Sequence, residues 1–353
     1  MYLAVLEPTI LYAAREWASA ARKLLVRRSV GGGPERLRSE DVRIYRTASL
    51  NSALILAGLL PLDLRVQEAA HLFKIKRGYS RQVVGDRDLE LPVSYLRLPH
   101  PSGQLSVDFS CLEEGEEAAR LATALFTLTA AALSVDKVSA AFCVMRDVAQ
   151  LYSKKLKLGS YCTVYQVELL ALAEATGYAA SGSAQSCAIL SDSRSALQTA
   201  ARSDTLHPLA VRVKENVMKA RENGKSVRFY WVDQLAKDAA LKNKCKPVYE
   251  GCPISIVKRQ LRLETLHEWN RRYVSGARAS VARIFFSNAT QAYRVLRKVE
   301  VDTVLVQLFT GHGGFSEYLY RFKLKEDPSC FCEPGVDQTA IHLVAECPAF
   351  GGL

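Results

Sequence analysis

Three acidic residues near the middle of the chain lie where a strand pattern gives way to a helix pattern. Glu168 follows a strand-like stretch and opens a helical one, Asp192 ends the apolar run CAIL, and Asp233 directly follows RFYWV. Converging carboxylates supply the oxygen ligands that Mg²⁺ prefers. Two such ions about 4 Å apart can stabilise both the attacking and the leaving oxygen in phosphodiester cleavage. The pattern therefore predicts a metal site suited to phosphodiester chemistry.

Each of these carboxylates also has a purely structural interpretation. Glu168 could stabilise a helix N-terminus through the macrodipole. Asp192 could form an Asx turn or an N-cap, and Asp233 is a clear N-cap candidate. Because acidic residues are common at helix starts, the structural interpretation is favoured for each residue taken alone.

A second group of possible ligands lies near the C-terminus. Cys330, Cys332, His342 and Cys347 have the spacing C-x-C-x9-H-x4-C. Three thiolates and one imidazole form a typical donor set for tetrahedral Zn²⁺. The gap between His342 and Cys347 is in the usual range, whereas the gap between the first two cysteines is unusually tight. Unmetallated buried thiols are the alternative.

The elements that must position these residues follow an α/β pattern over about residues 107–245. The predicted strands are KVSAAFCVM, KLGSYCTVYQ, SCAILSDS and SVRFYWV, and the predicted helices are VELLALAEATGYAA, SALQTAARS and PLAVRVKENVMKARENG. A helical segment is predicted over residues 1–95, interrupted by a glycine-rich joint at 31–33. Residues 246–353 are predicted to be mostly helical. The predicted fold class is thus α/β, with a mixed sheet flanked by helices between two helical segments.

Taken in order, the motifs resemble the RNase H domain of non-LTR retrotransposon reverse transcriptases, in particular an insect lineage of these elements. The motifs are VYQVELLALAEA, ILSDSRSAL, and VRFYWV followed by DQLAKDAAL. Further similarity covers nearly the whole chain, from YRTASLNSALILAGLLPLDLRVQEAA, which resembles the region after the polymerase core, to HEWNRRY and the cysteine-containing tail.

The resemblance implies an RNase H-like domain that cleaves the RNA strand of an RNA–DNA hybrid with Mg²⁺ or Mn²⁺. Glu168, Asp192 and Asp233 would then be the catalytic metal ligands. The cysteine and histidine residues of the tail would form a zinc knuckle. The partner would be nucleic acid, either a hybrid or a duplex.

The sequence departs from the family pattern at the first of its four catalytic carboxylates. The corresponding position is Ala130, or Leu128 under the alternative alignment, and no carboxylate lies between Glu117 and Asp136. Loss of this residue predicts weak or absent metal binding. An active enzyme would need Asp136 or another acid to replace it.

A second departure lies at Asp233. The family has a histidine-containing loop before its last catalytic aspartate, but here WV runs directly into DQLAK. Connections between strands and helices usually take about 2–6 residues. The simplest role left for Asp233 is to cap the following helix.

Charge and composition favour a polyanionic partner and no membrane. The chain has 353 residues and a formal net charge of +11, which suggests nucleic acid. Its longest uncharged apolar stretch has 15 residues, too short for a membrane span. The N-terminus lacks a basic signal-peptide region, and an intracellular, nuclear location with free or metal-bound cysteines is expected.

Three hypotheses for the function remain open from the sequence. The chain could be an RNA–DNA hybrid ribonuclease, a catalytically inactive nucleic-acid-binding module, or an unselected relic of a retroelement. The family resemblance favours the first hypothesis, and the residues at the site favour the second or the third.

Overall fold

The computed structural model describes residues 7–23, 48–81, 87–100, 107–111, 125–134, 137–146, 149–232, 247–276 and 280–350, with a few isolated positions. The chain divides into two compact units. One comprises Val84–Val257, and the other combines Met1–Val83 with Lys258–Leu353. The boundaries that the sequence predicts, at 95, 107 and 245, stay a prediction.

The N-terminal part of the chain forms helices, as predicted. They are α1 Glu7–Leu11, α2 Ala14–Ala21, α3 Leu50–Leu56 and α4 Leu62–Lys76. Ser49 caps α3 by accepting a hydrogen bond from the backbone of Ser52. Pro61 lies directly before α4, where its fixed φ and missing N–H cost the helix nothing.

Six described strands of the central unit form one mixed sheet. They are β1 Phe109–Cys111, β2 Leu125–Ser134, β3 Lys137–Arg146, β4 Ala149–Lys157, β5 Ser186–Ser191 and β6 Ser226–Trp231. The spatial order is β1-β6-β5-β2-β3-β4. Strands β2, β3 and β4 are antiparallel neighbours, whereas β5 is parallel to β2 and to β6. Strand β4 lies at one edge of the sheet.

Three of the described helices cover this sheet, namely α5 Val164–Ser181, α6 Arg194–Ala201 and α7 Pro208–Glu222. Helix α5 is the most buried, because residues such as Leu169, Leu170 and Leu172 have almost no exposed surface. Its apolar residues pack in one cluster with those of β3, β5 and β6. Gly224, with φ of 72°, follows α7 and ends it as predicted.

The sequence interpretation was wrong between β4 and α5. KLGSYCTVYQ was predicted as a strand, but β4 ends at Lys157 and α5 begins at Val164. Thr163 accepts a hydrogen bond from the backbone of Gln166, whose side chain accepts one from the backbone of Thr163. This capping box satisfies two N–H groups at the helix start and overrides the β-branched and aromatic residues nearby.

The C-terminal part is mostly helical, as predicted. It contains α8 Ile254–Ser275, α9 Ser280–Phe285, α10 Ala289–Leu296, α11 Thr303–Thr310 and α12 Ser316–Arg321, followed by the short strands β7 Ser329–Cys330 and β8 Glu333–Asp337 and a π-helical turn His342–Glu346. No helix in the described ranges is long and apolar enough to cross a membrane. The predicted fold class is confirmed.

Candidate functional site

The carboxyl ends of β5 and β6 meet at one edge of the sheet, beside the middle of β2. Thr129 pairs with Ser191, and Ser191 pairs with Trp231. Ala130 and Asp192 each follow one of these paired residues. The backbone register therefore places Ala130 level with Asp192. Ala130 is the residue that corresponds to the first carboxylate of the resembled family.

Glu168 reaches the same edge from helix α5. The hydroxyl of Ser193 donates a hydrogen bond of 2.5 Å to Oε2 of Glu168. Glu168 lies beyond the first turn of α5, where a macrodipole effect would be weak. The structure thus brings Glu168 next to the residue that follows Asp192, and the macrodipole interpretation is not supported.

Ser193, and not Asp192, caps the helix that follows β5. Its Oγ accepts a hydrogen bond of 3.2 Å from the backbone of Ala196. The N-cap interpretation of Asp192 is therefore wrong. The backbone carbonyl of Asp192 accepts a hydrogen bond of 3.3 Å from the indole of Trp231. The guanidinium carbon of Arg194 lies 5.6 Å from the centre of that indole, which adds a positive charge at this edge.

Two acidic residues of the sequence hypotheses, Asp233 and Asp136, lie outside the described residues. Among the predicted catalytic residues, the described part of the site therefore supplies Glu168 and Asp192. A two-metal site needs carboxylates that bridge both ions. With Ala130 at the first position, the described residues supply only the carboxylates of Glu168 and Asp192, and this donor set does not complete such a site.

The cysteine and histidine residues of the tail converge as predicted. The candidate ligand atoms of Cys330, Cys332, His342 and Cys347 all lie within 4.8 Å of one another. Sγ of Cys330 is 3.9 Å from Sγ of Cys347, and Sγ of Cys332 is 3.2 Å from Nε2 of His342. Tetrahedral Zn²⁺ with Zn–S bonds of about 2.3 Å places its sulfur ligands about 3.8 Å apart. The donor set therefore fits zinc in both type and spacing.

Neighbouring groups orient these ligands and set their charge. The side-chain amide of Gln338 donates to Sγ of Cys330 at 3.8 Å, and Nδ1 of His342 lies 3.6 Å from a carboxylate oxygen of Glu346. Burial raises the pKa of Cys330, but hydrogen bonds from Cys332, His342 and Cys347 outweigh it and lower that pKa to about 6. Burial and the contacts with Cys330 and Cys347 raise the pKa of Cys332 to about 12. The thiolate is the form of each cysteine that binds metal.

A polar network around Glu90 was not predicted from the sequence. Its carboxylate accepts hydrogen bonds from the side-chain amide of Gln166, at 2.9 Å, and from the hydroxyl of Tyr249. Nε2 of His207 lies 3.5 Å from the same carboxylate, and burial lowers the pKa of this histidine. These residues are far apart in sequence and form no recognisable spacing. The network fixes two loops against the start of α5.

His312 in TGHGGF is a turn residue. It follows Gly311, which ends α11 in the left-handed conformation with φ of 69°. Its Nδ1 lies 2.8 Å from the carbonyl oxygen of Thr310. This local contact holds the ring at the end of α11, and it points to a structural role.

No family model matches the chain, and no curated protein matches it. Among solved structures, part of the chain is similar to the N-terminal RNase H domain of a Mycobacterium tuberculosis protein, solved as a fusion with maltose-binding protein. The identity is 17%, the match covers 31% of this chain and 87% of that chain, and the TM-score is 0.27. RNase H1 of Halobacterium salinarum is similar at 20% identity, with 31% of this chain and 86% of that chain covered and a TM-score of 0.24.

Proposed function

We propose that the central unit is an RNase H-like nucleic-acid-binding domain in which metal-dependent cleavage of RNA–DNA hybrids is impaired. The observation that carries the proposal is the register of β2 against β5, which sets Ala130 level with Asp192. Replacing a carboxylate by alanine removes one formal negative charge from a site that must hold divalent cations. Under this proposal the chain derives from the C-terminal part of an insect non-LTR retrotransposon polyprotein and works in the nucleus.

Binding, unlike cleavage, does not need the missing carboxylate. The net charge of +11 favours contact with phosphate groups. Arg321, Lys323 and Lys325 are exposed and precede Cys330, the first residue of the Cys₃His cluster, in the sequence. We propose that Zn²⁺ occupies this cluster and holds the surrounding chain in place, so that these basic side chains can contact nucleic acid.

A hybrid-binding and cleavage assay tests the proposal. The full chain is incubated with a labelled RNA–DNA hybrid and Mg²⁺ or Mn²⁺. We expect the full chain to bind the hybrid with an affinity that falls steeply as the salt concentration rises. We expect it to cleave the hybrid no faster than the Asp192→Asn variant does. The absence of any salt-dependent binding would contradict the proposal and leave the relic hypothesis.

The variant Ala130→Asp, compared with Ala130→Asn, tests the register argument. Restoring a carboxylate at this position is expected to strengthen Mn²⁺ binding, whereas the uncharged amide of similar size is not. Isothermal titration calorimetry measures the difference. Equal Mn²⁺ affinities for the two variants would show that residue 130 does not face the metal site.

An active hybrid ribonuclease is the second candidate. The contact between Ser193 and Glu168 favours it, because it places one carboxylate of the family's set next to Asp192. Under this hypothesis Asp136 supplies the missing charge and Asp233 keeps its role as a metal ligand. Cleavage by the unmodified chain that is abolished in Asp192→Asn would establish this candidate and exclude the first.

A further inference from the structure

A pocket of about 300 Å³ in the helical unit collects arginine side chains from three helices. Arg65 comes from α4, Arg262 from α8, and Arg297 from the end of α10. The other lining residues are Glu7, Gly58, Leu59, Leu60 and Tyr293. This pocket has no part in the chemistry discussed so far.

Two of the three arginines are held by carboxylates. Nε of Arg65 lies 2.6 Å from Glu7, and its Nη1 lies 2.6 Å from Glu68. Glu68 also lies 3.1 Å from Nη2 of Arg262. These ion pairs fix both guanidinium groups in place, and they neutralise two of the three positive charges.

Arg297 is held without a carboxylate. Its guanidinium carbon lies 5.0 Å from the centre of the Tyr293 ring, and in the described part of the chain no ion pair involves it. The hydroxyl of Tyr293 accepts a hydrogen bond of 3.5 Å from Arg262. The buried tyrosine therefore links two of the guanidinium groups and leaves the hydrogen-bond donors of Arg297 available.

The backbone at Gly58 is shaped to admit Arg297. Gly58 has φ of 61°, and a Cβ atom at this position would lie 2.8 Å from Cγ of Arg297. A larger residue would displace the side chain or strain the backbone. The close approach is what places the Arg297 side chain at this pocket.

We propose that this pocket binds a singly charged phosphodiester group. Three guanidinium groups and two carboxylates leave one positive charge, which one phosphodiester neutralises. The planar donors of arginine match phosphate oxygens in pairs. The inference deepens the proposed function, because nucleic acid would be the source of the phosphodiester.

Binding of a dinucleoside phosphodiester to the full chain tests this site. Its uncharged methylphosphonate analogue and inorganic phosphate are the comparison ligands, and Arg297→Gln is compared with Arg294→Gln. Arg294 lies on the same helix and is exposed. Loss of a charge-assisted contact is expected to weaken diester binding about tenfold or more in Arg297→Gln. Arg294→Gln is expected to bind like the unmodified chain.

Thermal melting of each variant checks folding, and Arg297→Lys provides a charged variant without the guanidinium fork. Equal diester affinities for Arg297→Gln and Arg294→Gln would overturn the proposal, as would equal binding of the diester and its methylphosphonate. Stronger binding of inorganic phosphate than of the diester would also overturn it, because the charge match would be wrong.

The RNA–DNA hybrid identifies the source of the ligand. Two results would support a nucleic-acid backbone as the ligand. The hybrid would compete with the diester, and the slope of log affinity for the hybrid against log salt concentration would be smaller by about 0.9 in Arg297→Gln. Diester binding without hybrid binding would support the pocket and contradict the proposed function. Hybrid binding that is identical in both glutamine variants, with no diester binding, would contradict the pocket alone.

Discussion

Ser193 connects two elements through one hydroxyl group. Its oxygen accepts a hydrogen bond from the backbone of Ala196 and so caps α6, while its proton is donated to Glu168 on α5. The side chain is 6% exposed. A buried hydroxyl with both functions in use leaves unsatisfied partners on each side when it is removed.

Replacing this hydroxyl is expected to be costly for stability. Ser193→Ala removes an N-cap and a hydrogen bond to a carboxylate, and we expect the free energy of unfolding to fall by about 1–3 kcal/mol. Urea unfolding followed by circular dichroism measures it. Ser181→Ala is the control, because that exposed hydroxyl bonds only to carbonyls of its own helix. Equal losses in both variants would contradict the dual role.

At the scale of single elements, helix α8 carries an acid-sensitive group of ion pairs. Hydrogen bonds from Arg271 outweigh burial and, with those from Arg272, lower the pKa of Glu268 to about 2. Because this pKa lies below the ordinary value of 4.5, the stabilisation is complete above about pH 4.5. It is lost as the pH falls towards 2.

The variant Glu268→Gln is therefore expected to be less stable than the unmodified chain at pH 7, and the difference should shrink as the pH falls from about 4.5. The pairs are near the surface, so we expect a difference below about 1 kcal/mol. Thermal melting at several pH values measures it. Glu264→Gln on the exposed face of α8 is the control. If the difference in stability between Glu268→Gln and the unmodified chain stayed constant down to pH 3, the lowered pKa of Glu268 would be contradicted.

The tail elements β7, β8 and the π-helical turn bring the four candidate zinc ligands together. Cys332→Ser is expected to reduce zinc content below one ion per chain and to speed zinc loss to a chelator, because a closed site needs all four ligands. Cys111→Ser, at an exposed cysteine outside the cluster, should leave both properties unchanged. Metal analysis of the purified variants measures the content. Equal zinc content in the two variants would contradict the site.

The elements also show what the sequence could and could not predict. SCAILSDS is predictable as a strand because its apolar run ends in turn residues, and SVRFYWV because Val227, Phe229 and Trp231 alternate along it. Strand β4 was missed, since AQLYSKKLK is mostly exposed and has a polar, lysine-rich composition. The Cys₃His cluster was predictable because its members are close in sequence. The network of Glu90, His207 and Tyr249 was not, because only tertiary packing brings those residues together.

At the scale of the whole molecule, distant parts of the chain share one core. Trp269 and Tyr273 of α8 are completely buried and pack in one cluster with Ile55 of α3. Arg272 lies 2.6 Å from the buried carboxylate of Asp63. The first 83 residues therefore depend on residues after 257 for their core.

This dependence predicts an effect at a distance in sequence. Trp269→Ala is expected to destabilise the helical unit by about 3–5 kcal/mol. Hydrogen exchange in α3 and α4 should become faster, although the substitution lies some 200 residues away in sequence. His267→Ala, at an exposed position of the same helix, is the control. Unchanged exchange in α3 would show that this core is not shared.

The outer position of β4 has a consequence for association between chains. An edge strand offers unpaired backbone groups to any other extended segment, and such edges promote aggregation unless charge blocks them. Strand β4 carries Lys154, Lys155 and Lys157. Lys154 is paired with Glu174. Two copies aligned edge to edge would bring Lys155 and Lys157 of each copy together, and their mutual repulsion opposes the pairing. The lysines that concealed β4 in the sequence therefore also oppose growth of the sheet into a second molecule.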